Sequence, residues 1–542
     1  MLTRVTSTVG ARSPGRPPPD PGSGPVDLGA ADTGPADRGR GEAVPVDTVP
    51  ADTVPADIMP PDTVRDWIAT AVILVLALVS RFWGLTSATD KGTPIFDEKH
   101  YAPQSFNIAQ LGIEENPAYG LVVHPPVAKQ IESLGGLLFG YTPLGWRFTA
   151  AVAGVLVVLM VMRITRRLTR STQLGFIAGL LLCLDGVSFV TSRIGMLDIY
   201  QVLFVTAAAG ALLVDRDRMR DRMHRAALAG RVQLSDFGPR LGFRWWRFTA
   251  GVMLGLALGV KWSGLYFIAC FGLMTVVWDW ALRRRYGVRR PLAGTLLRDA
   301  TPAFVSLVIW PALLHLFTWL PWFASENSVY RHVVGSKVQD NWLPDALQSW
   351  LYYQSSVLDF HSSLTTSAGN RHPWESKPWS WPMSLRPMLY YVEQGENVGG
   401  CGEATCVRAI MLLGTPAIWW LAVPVLAWAF WRAVLCRDGR YAFPLVGYLA
   451  GYLPWFFQFD RQMYFFYASV MVPFFVMLVA LVLGEVAGRS TDSPRRRTIG
   501  LGVVCLYLAL VIANFLYMLP IISGIPLTPA QWNQQLWLPS WR

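Results

Sequence analysis

Apolar stretches recur along most of this chain, and short polar stretches rich in arginine separate them. Eleven stretches have the length and continuity of membrane helices: roughly 67–86, 146–162, 172–190, 196–214, 247–261, 264–282, 300–320, 409–430, 442–458, 465–485 and 498–519. The pattern predicts an all-α polytopic membrane protein. Two polar intervals are too long to be turns, about 87–145 and 321–408. Loops of that length usually carry function. Within the second, Ala346, Trp350, Tyr353 and Val357 fall at helical spacing among many aromatics, which predicts a helix lying along the membrane interface. An interfacial aromatic belt accounts for most of these aromatics whatever the function.

Charge gives the spans a direction. Arg163, Arg166, Arg167 and Arg170 follow the second span, and a basic run from Arg216 to Arg247 follows the fourth. Arg283 to Arg290, then Arg432, Arg437 and Arg440, then Arg489 to Arg497 follow the sixth, eighth and tenth. Every second loop is therefore basic. The positive-inside rule then sets the N-terminus in the cytoplasm and both long loops, with the C-terminal tail 521–542, outside. The net charge of +11 belongs to this asymmetry rather than to a nucleic-acid partner. With 52% hydrophobic and 15% charged residues in 542, the chain lacks the charge that solvates a soluble surface.

Residues 1–64 stand apart. They are rich in Pro, Gly, Asp and Ala, repeat loosely in PVDTVPADTVPADIMPPDTV, and predict a disordered cytoplasmic tail. No signal peptide is expected ahead of the first span, which is read as retained. Cys401 and Cys406 share the polar run CGEATC and can pair if that loop faces an oxidising compartment; two free thiols are the alternative.

Candidate chemistry gathers in the predicted outer segments. The first loop holds IFDEKHYAPQSF, with Asp97 beside Glu98, and VVHPPVAKQ, with His124 and Lys129. A carboxylate beside lipid is desolvated, its pKa rises, and it becomes suited to general-base work, although two solvated loop acids would read the same. The turn SFVTSRIGMLDIYQ sets Arg193 and Asp198 between apolar runs, either facing a cavity or closing the turn as a pair. Arg147, Lys261 and Arg461 are cations expected on the outer side, where positive charge is otherwise scarce. A lipid-linked phosphate would partner them; snorkelling anchors are the plainer reading of any one alone.

FDEKHY, HPPVAK, SRIGMLD, GVKWSGLY, GTPAIWW and YLPWFFQFDRQMYFFY follow one another in an order that resembles the polyprenyl- or dolichyl-phosphate-mannose:protein mannosyltransferases. The likeness runs over about 67–520, so 65–520 is expected to form one transferase domain of the GT-C type. The eukaryotic members' MIR domain would not fit between Trp322 and Arg408. The resemblance implies Asp97 as the catalytic carboxylate with Glu98 supporting it. It implies Lys261, Arg147 and Arg461 around the donor phosphate, with His124, Lys129, Arg193 and Asp198 also set on the donor. The implied donor is polyprenyl-phosphate-mannose and the implied acceptors are Ser/Thr hydroxyls of exported proteins, with the secretion translocon of the plasma membrane as an expected partner. No cofactor is demanded; a divalent cation is left open, and no metal ligands are assigned. A GT-C transferase moving another lipid-linked sugar is the nearer alternative, a transporter or flippase the farther one.

Overall fold

The computed structural model describes residues 61–115, 123–367, 369, 372–396 and 398–542. The expected tail therefore lies outside the described residues except for its last few positions. Those are not loose: Asp62 pairs with Arg166 at 2.7 Å, and Thr63 caps the first helix through a reciprocal bond with Asp66.

Helices dominate. In chain order they begin α1 (Val64–Phe82), α2 (Glu98–Leu111), α3 (Val127–Phe139), α4 (Pro143–Thr169), α5 (Thr172–Cys183), α6 (Gly186–Thr191), α7 (Asp198–Leu228), α8 (Trp245–Val260) and α9 (Gly264–Arg285). Long apolar helices follow at Pro291–Thr318, Pro416–Leu435, Phe465–Ala487 and Pro494–Ser523. Among the described residues, seven helices are long and apolar enough to cross a membrane: these four with α4, α7 and α9. The other four expected spans are helical but fall short of that test. α5 and α8 are apolar and shorter, Gly439–Tyr452 has 14 residues and runs on into a 3-10 turn, and α1 carries Arg65, Asp66 and Arg81.

Burial orders the bundle. The apolar window of Phe465–Ala487 is 89% buried, while that of Pro291–Thr318 is 17% buried. The first is the central helix, and the second turns its apolar face outward, as lipid contact requires. Small residues permit the closest crossings: a Cβ at Gly251 in α8 would collide with the Ser306 carbonyl.

The described parts of the two long intervals hold regular elements. The first folds into α2 and α3. The second holds the helix Asp345–Ser363, which contains the expected Ala346-to-Val357 stripe and buries Tyr353 and Val357 against Trp319 and Trp322. It then forms a hairpin in which β1 (Met388–Gly395) pairs antiparallel with β2 (Cys406–Leu412), Gly395 opposite Cys406. Cys401 and Cys406 form a disulfide. The hairpin corrects the expected span 409–430: its first apolar residues complete β2, and the helix starts at Pro416 behind Thr415. An apolar run of strand length cannot be told from a helix by periodicity. The C-terminal segment is likewise packed rather than a free tail, since Leu527 bridges Val407 and Trp541 is fully buried.

Candidate active site

Asp97 is the N-cap of α2 and makes no capping bond with its side chain. The residue before it, Phe96, has φ +48°, a left-handed backbone unusual for a bulky side chain. Its ring stacks on Tyr390 of β1 at 4.4 Å and 19°. That stack fixes the turn and aims Asp97 away from its neighbour. Asp97 then opens into a cavity of about 730 Å³, while Glu98 turns into the protein.

Glu98 is fully buried and satisfied. Its carboxylate accepts from Arg147 Nε (2.7 Å) and Nη2 (2.8 Å), and from the backbone amides of Ile95 (3.0 Å) and Gly195 (2.8 Å). Four charge-assisted or backbone donors hold the start of α2 onto α4 and onto the turn before α7. Arg147 is accordingly spent: its Nη1 donates to the Leu85 carbonyl, and the residue does not reach the cavity.

The cavity wall draws on the first turn of α7 (Asp198, Gln201), the exit of α8 (Lys261) and the start of α9 (Ser263, Tyr266). The end of Gly439–Tyr452 and the start of Phe465–Ala487 complete it with Trp455, Tyr464, Phe466 and Tyr467. Successive helices run in opposite directions, so these starts and ends belong to one end of the bundle.

Of the expected site residues, the structure brings Asp97, His124, Asp198, Lys261 and Arg461 together on this cavity. Arg147, Lys129 and Arg193 are elsewhere. Lys129 is buried between Glu114 (2.5 Å) and the His124 carbonyl (3.2 Å), where it supports the His124 backbone. Arg193 donates to the carbonyls of Ser80, Arg81, Trp83 and Gly84, satisfying the unpaired C-terminal end of α1. It does not pair with Asp198, whose Oδ1 instead accepts from Lys261 Nζ at 2.8 Å.

That pairing separates the two cavity cations. Lys261 is neutralised locally by Asp198 and lies 5.5 Å over the Phe466 ring. Arg461 donates to the carbonyl (3.0 Å) and Nδ1 (3.2 Å) of His361, has a buried Nε without a partner, and faces no carboxylate among the described residues. Its charge is uncompensated on the wall.

Electrostatics suit a base at Asp97. Burial raises its pKa above the ordinary carboxylate value, partly opposed by His100 and Lys261 and reinforced by Asp198. Burial also lowers both cavity histidines, aided by neighbouring cations: His124 falls well below its usual range and His361 drops to about 4. Both are neutral at pH 7. Among the described residues no group of three or more His, Cys, Asp or Glu is arranged to hold a metal ion.

His361, Gln201 and Ser263 were not singled out by sequence. Each is a lone polar residue near an apolar helix, a pattern shared by many satisfied core positions. The aromatic wall lay inside the motif YLPWFFQFDRQMYFFY but without assigned roles.

Comparison with known proteins decides the family. Residues 71–325 match the model of the dolichyl-phosphate-mannose-protein mannosyltransferases, and residues 346–541 match the C-terminal four TMM region of protein-O-mannosyltransferase. The chain belongs to the protein O-mannosyltransferase family. It is a glycosyltransferase. A polyprenol-phosphate-mannose–protein mannosyltransferase of Mycobacterium tuberculosis is 56% identical over 485 residues, covering 89% of this chain and 93% of that one. A Corynebacterium glutamicum protein of the same name is 52% identical over 486 residues, covering 87% and 93%. In fold, the Saccharomyces cerevisiae protein O-mannosyltransferase Pmt1–Pmt2 complex bound to the sugar donor matches with a TM-score of 0.68 over 90% of this chain and 94% of that one, at 15% identity. The GT-C mannosyltransferase architecture expected from sequence is therefore present.

Proposed function

We propose that this mannosyltransferase moves mannose from polyprenyl-phosphate-mannose to Ser or Thr hydroxyls of exported proteins, with inversion at the anomeric carbon. The observation that carries the reading is one cavity holding an unbonded carboxylate, Asp97, and an uncompensated cation, Arg461. Asp97 takes the proton of the acceptor hydroxyl as its oxygen attacks the anomeric carbon. The bond from that carbon to the phosphate oxygen breaks, and polyprenyl phosphate departs as the anion. Arg461 stabilises the charge that grows on the phosphate. A phosphate leaves without protonation, so one base suffices. Glu98 touches no substrate; it is a positioning residue that holds the α2 start through Arg147 and the Gly195 amide.

The arginine asymmetry supports a plasma-membrane protein with its N-terminus in the cytoplasm and the cavity on the extracytoplasmic face. Acceptors emerging from the secretion translocon arrive on that face. The test is transfer of labelled mannose from polyprenyl-phosphate-mannose to a Ser/Thr-rich secreted peptide by the purified chain. Labelled peptide whose linkage is α from a β-linked donor is the expected result. Transfer only of another lipid-linked sugar, or only to a glycolipid, would overturn it.

A further inference from the structure

Asp198 is 6% exposed, and its two carboxylate oxygens have different surroundings. Oδ1 accepts from Lys261 Nζ at 2.8 Å, whereas Oδ2 is buried and has no hydrogen-bond partner. Leaving a buried charged acceptor unmet costs more than leaving a neutral one unmet. Asp198 lines the cavity, so this unmet acceptor marks a place for a donor from the ligand. Lys261 holds the carboxylate in one orientation.

Gln201 lies three residues further along α7 and so on the same face. Its side-chain amide donates to Ser263 Oγ at 2.8 Å, which leaves its carbonyl oxygen as a second acceptor beside the first. Two acceptors one turn apart, beside an ammonium already paired with one of them, suit adjacent hydroxyls better than a phosphate. Arg461, with no ion-pair partner among the described residues, has the opposite preference.

We infer that Asp198 Oδ2, with the Gln201 carbonyl oxygen beside it, forms the hydroxyl-recognition subsite of the cavity and accepts hydrogen bonds from neighbouring ring hydroxyls of the transferred hexose. This rests on the functional reading above and adds to it which wall reads the sugar. The donor then lies with its phosphate toward Arg461 and its hydroxyls toward α7. The Lys261–Asp198 pair orients the sugar and takes no part in binding the phosphate. Sugar discrimination is set by α7.

The experiment uses purified full-length chain and polyprenyl-phosphate-mannose beside its 2-, 3-, 4- and 6-deoxy analogues, with kcat/KM measured for each. In the wild type at least one deoxy donor should lose about 10²-fold, the worth of a hydrogen bond to a charged group. In Asp198→Asn that same donor should fall within about 3-fold of the variant's own rate with mannose. Gln201→Leu leaves the Lys261–Asp198 pair intact and should flatten the response to a neighbouring hydroxyl, so the test survives if Asp198→Asn does not fold. Wild-type transfer with equal rates for all four analogues would overturn the subsite, as would an unchanged deoxy profile in both variants. Absence of any mannosyl transfer by the wild type would instead overturn the functional reading itself.

Discussion

Arg147 closes both arms of its guanidinium fork on Glu98, at 2.7 and 2.8 Å, with neither residue more than 1% exposed. The pair sits directly behind Asp97, which inherits its position from a buried ion pair. Removing one partner from such a pair leaves an uncompensated buried charge and costs about 3–5 kcal/mol. Glu98→Gln should therefore lower the unfolding midpoint in detergent, and Arg147→Met should do the same. The double variant should recover part of the loss. Strictly additive losses would show that the two side chains act independently.

Asp97 should behave differently from its neighbour. Asp97→Asn keeps the shape of the turn and removes basicity, so transfer should fall roughly 10²–10⁴-fold with stability unchanged. Donor binding, measured separately, should survive. Transfer within a few-fold of wild type would remove Asp97 as the base.

The pH profile of kcat/KM follows from the same environment. Burial raises the Asp97 pKa, so the ionised base is lost as pH falls through a value above the ordinary 3.8. The acid limb should thus lie at higher pH than for a free aspartate and should vanish in Asp97→Asn. An acid limb that persists in the variant would assign it to another group.

Arg461 and Lys261 should separate in kinetics. Arg461→Ala removes the uncompensated cation and should reduce kcat/KM for the donor about 10–100-fold, with part of the loss in kcat. Lys261→Ala exposes the charge of Asp198, and Lys261→Gln with Asp198→Asn should recover more of the stability than either single change. Wild-type kinetics in Arg461→Ala would leave that residue as an anchor.

Topology is open to a direct check. A single cysteine placed between 223 and 235 should resist impermeant thiol reagents in intact cells, and one at 365 should react. Cys436 lies in a loop beside Arg432, Arg437 and Arg440, is exposed, and should label only after permeabilisation. The reverse pattern would invert the placement of the cavity.

The seven long apolar helices could be read from sequence because an apolar run long enough to cross lipid has few other fates. That Asp97 and Glu98 point to different sides could be read too, since adjacent side chains cannot both face one cavity. The fate of each cation could not. Arg147 and Lys261 both sit at an apolar helix end beside a tryptophan, yet one turns to Glu98 and the other to Asp198. Those partners lie 49 and 63 residues away, and nothing local encodes which carboxylate arrives. The β1–β2 hairpin was hidden for a different reason: the run ending in Leu412 is as apolar as a helix start.

The bonds to Glu98 also impose an order in time. Its partners at 147 and 195 are 49 and 97 residues further along the chain, and the cavity wall continues to Val470. At synthesis rates of about 5–20 residues per second, tens of seconds separate the making of Asp97 from the making of that last wall. Until Gly195 is made, the nascent chain holds a carboxylate without its frame. A chain truncated anywhere before the central helix Phe465–Ala487 lacks the part of the cavity wall that Phe466, Tyr467 and Val470 supply.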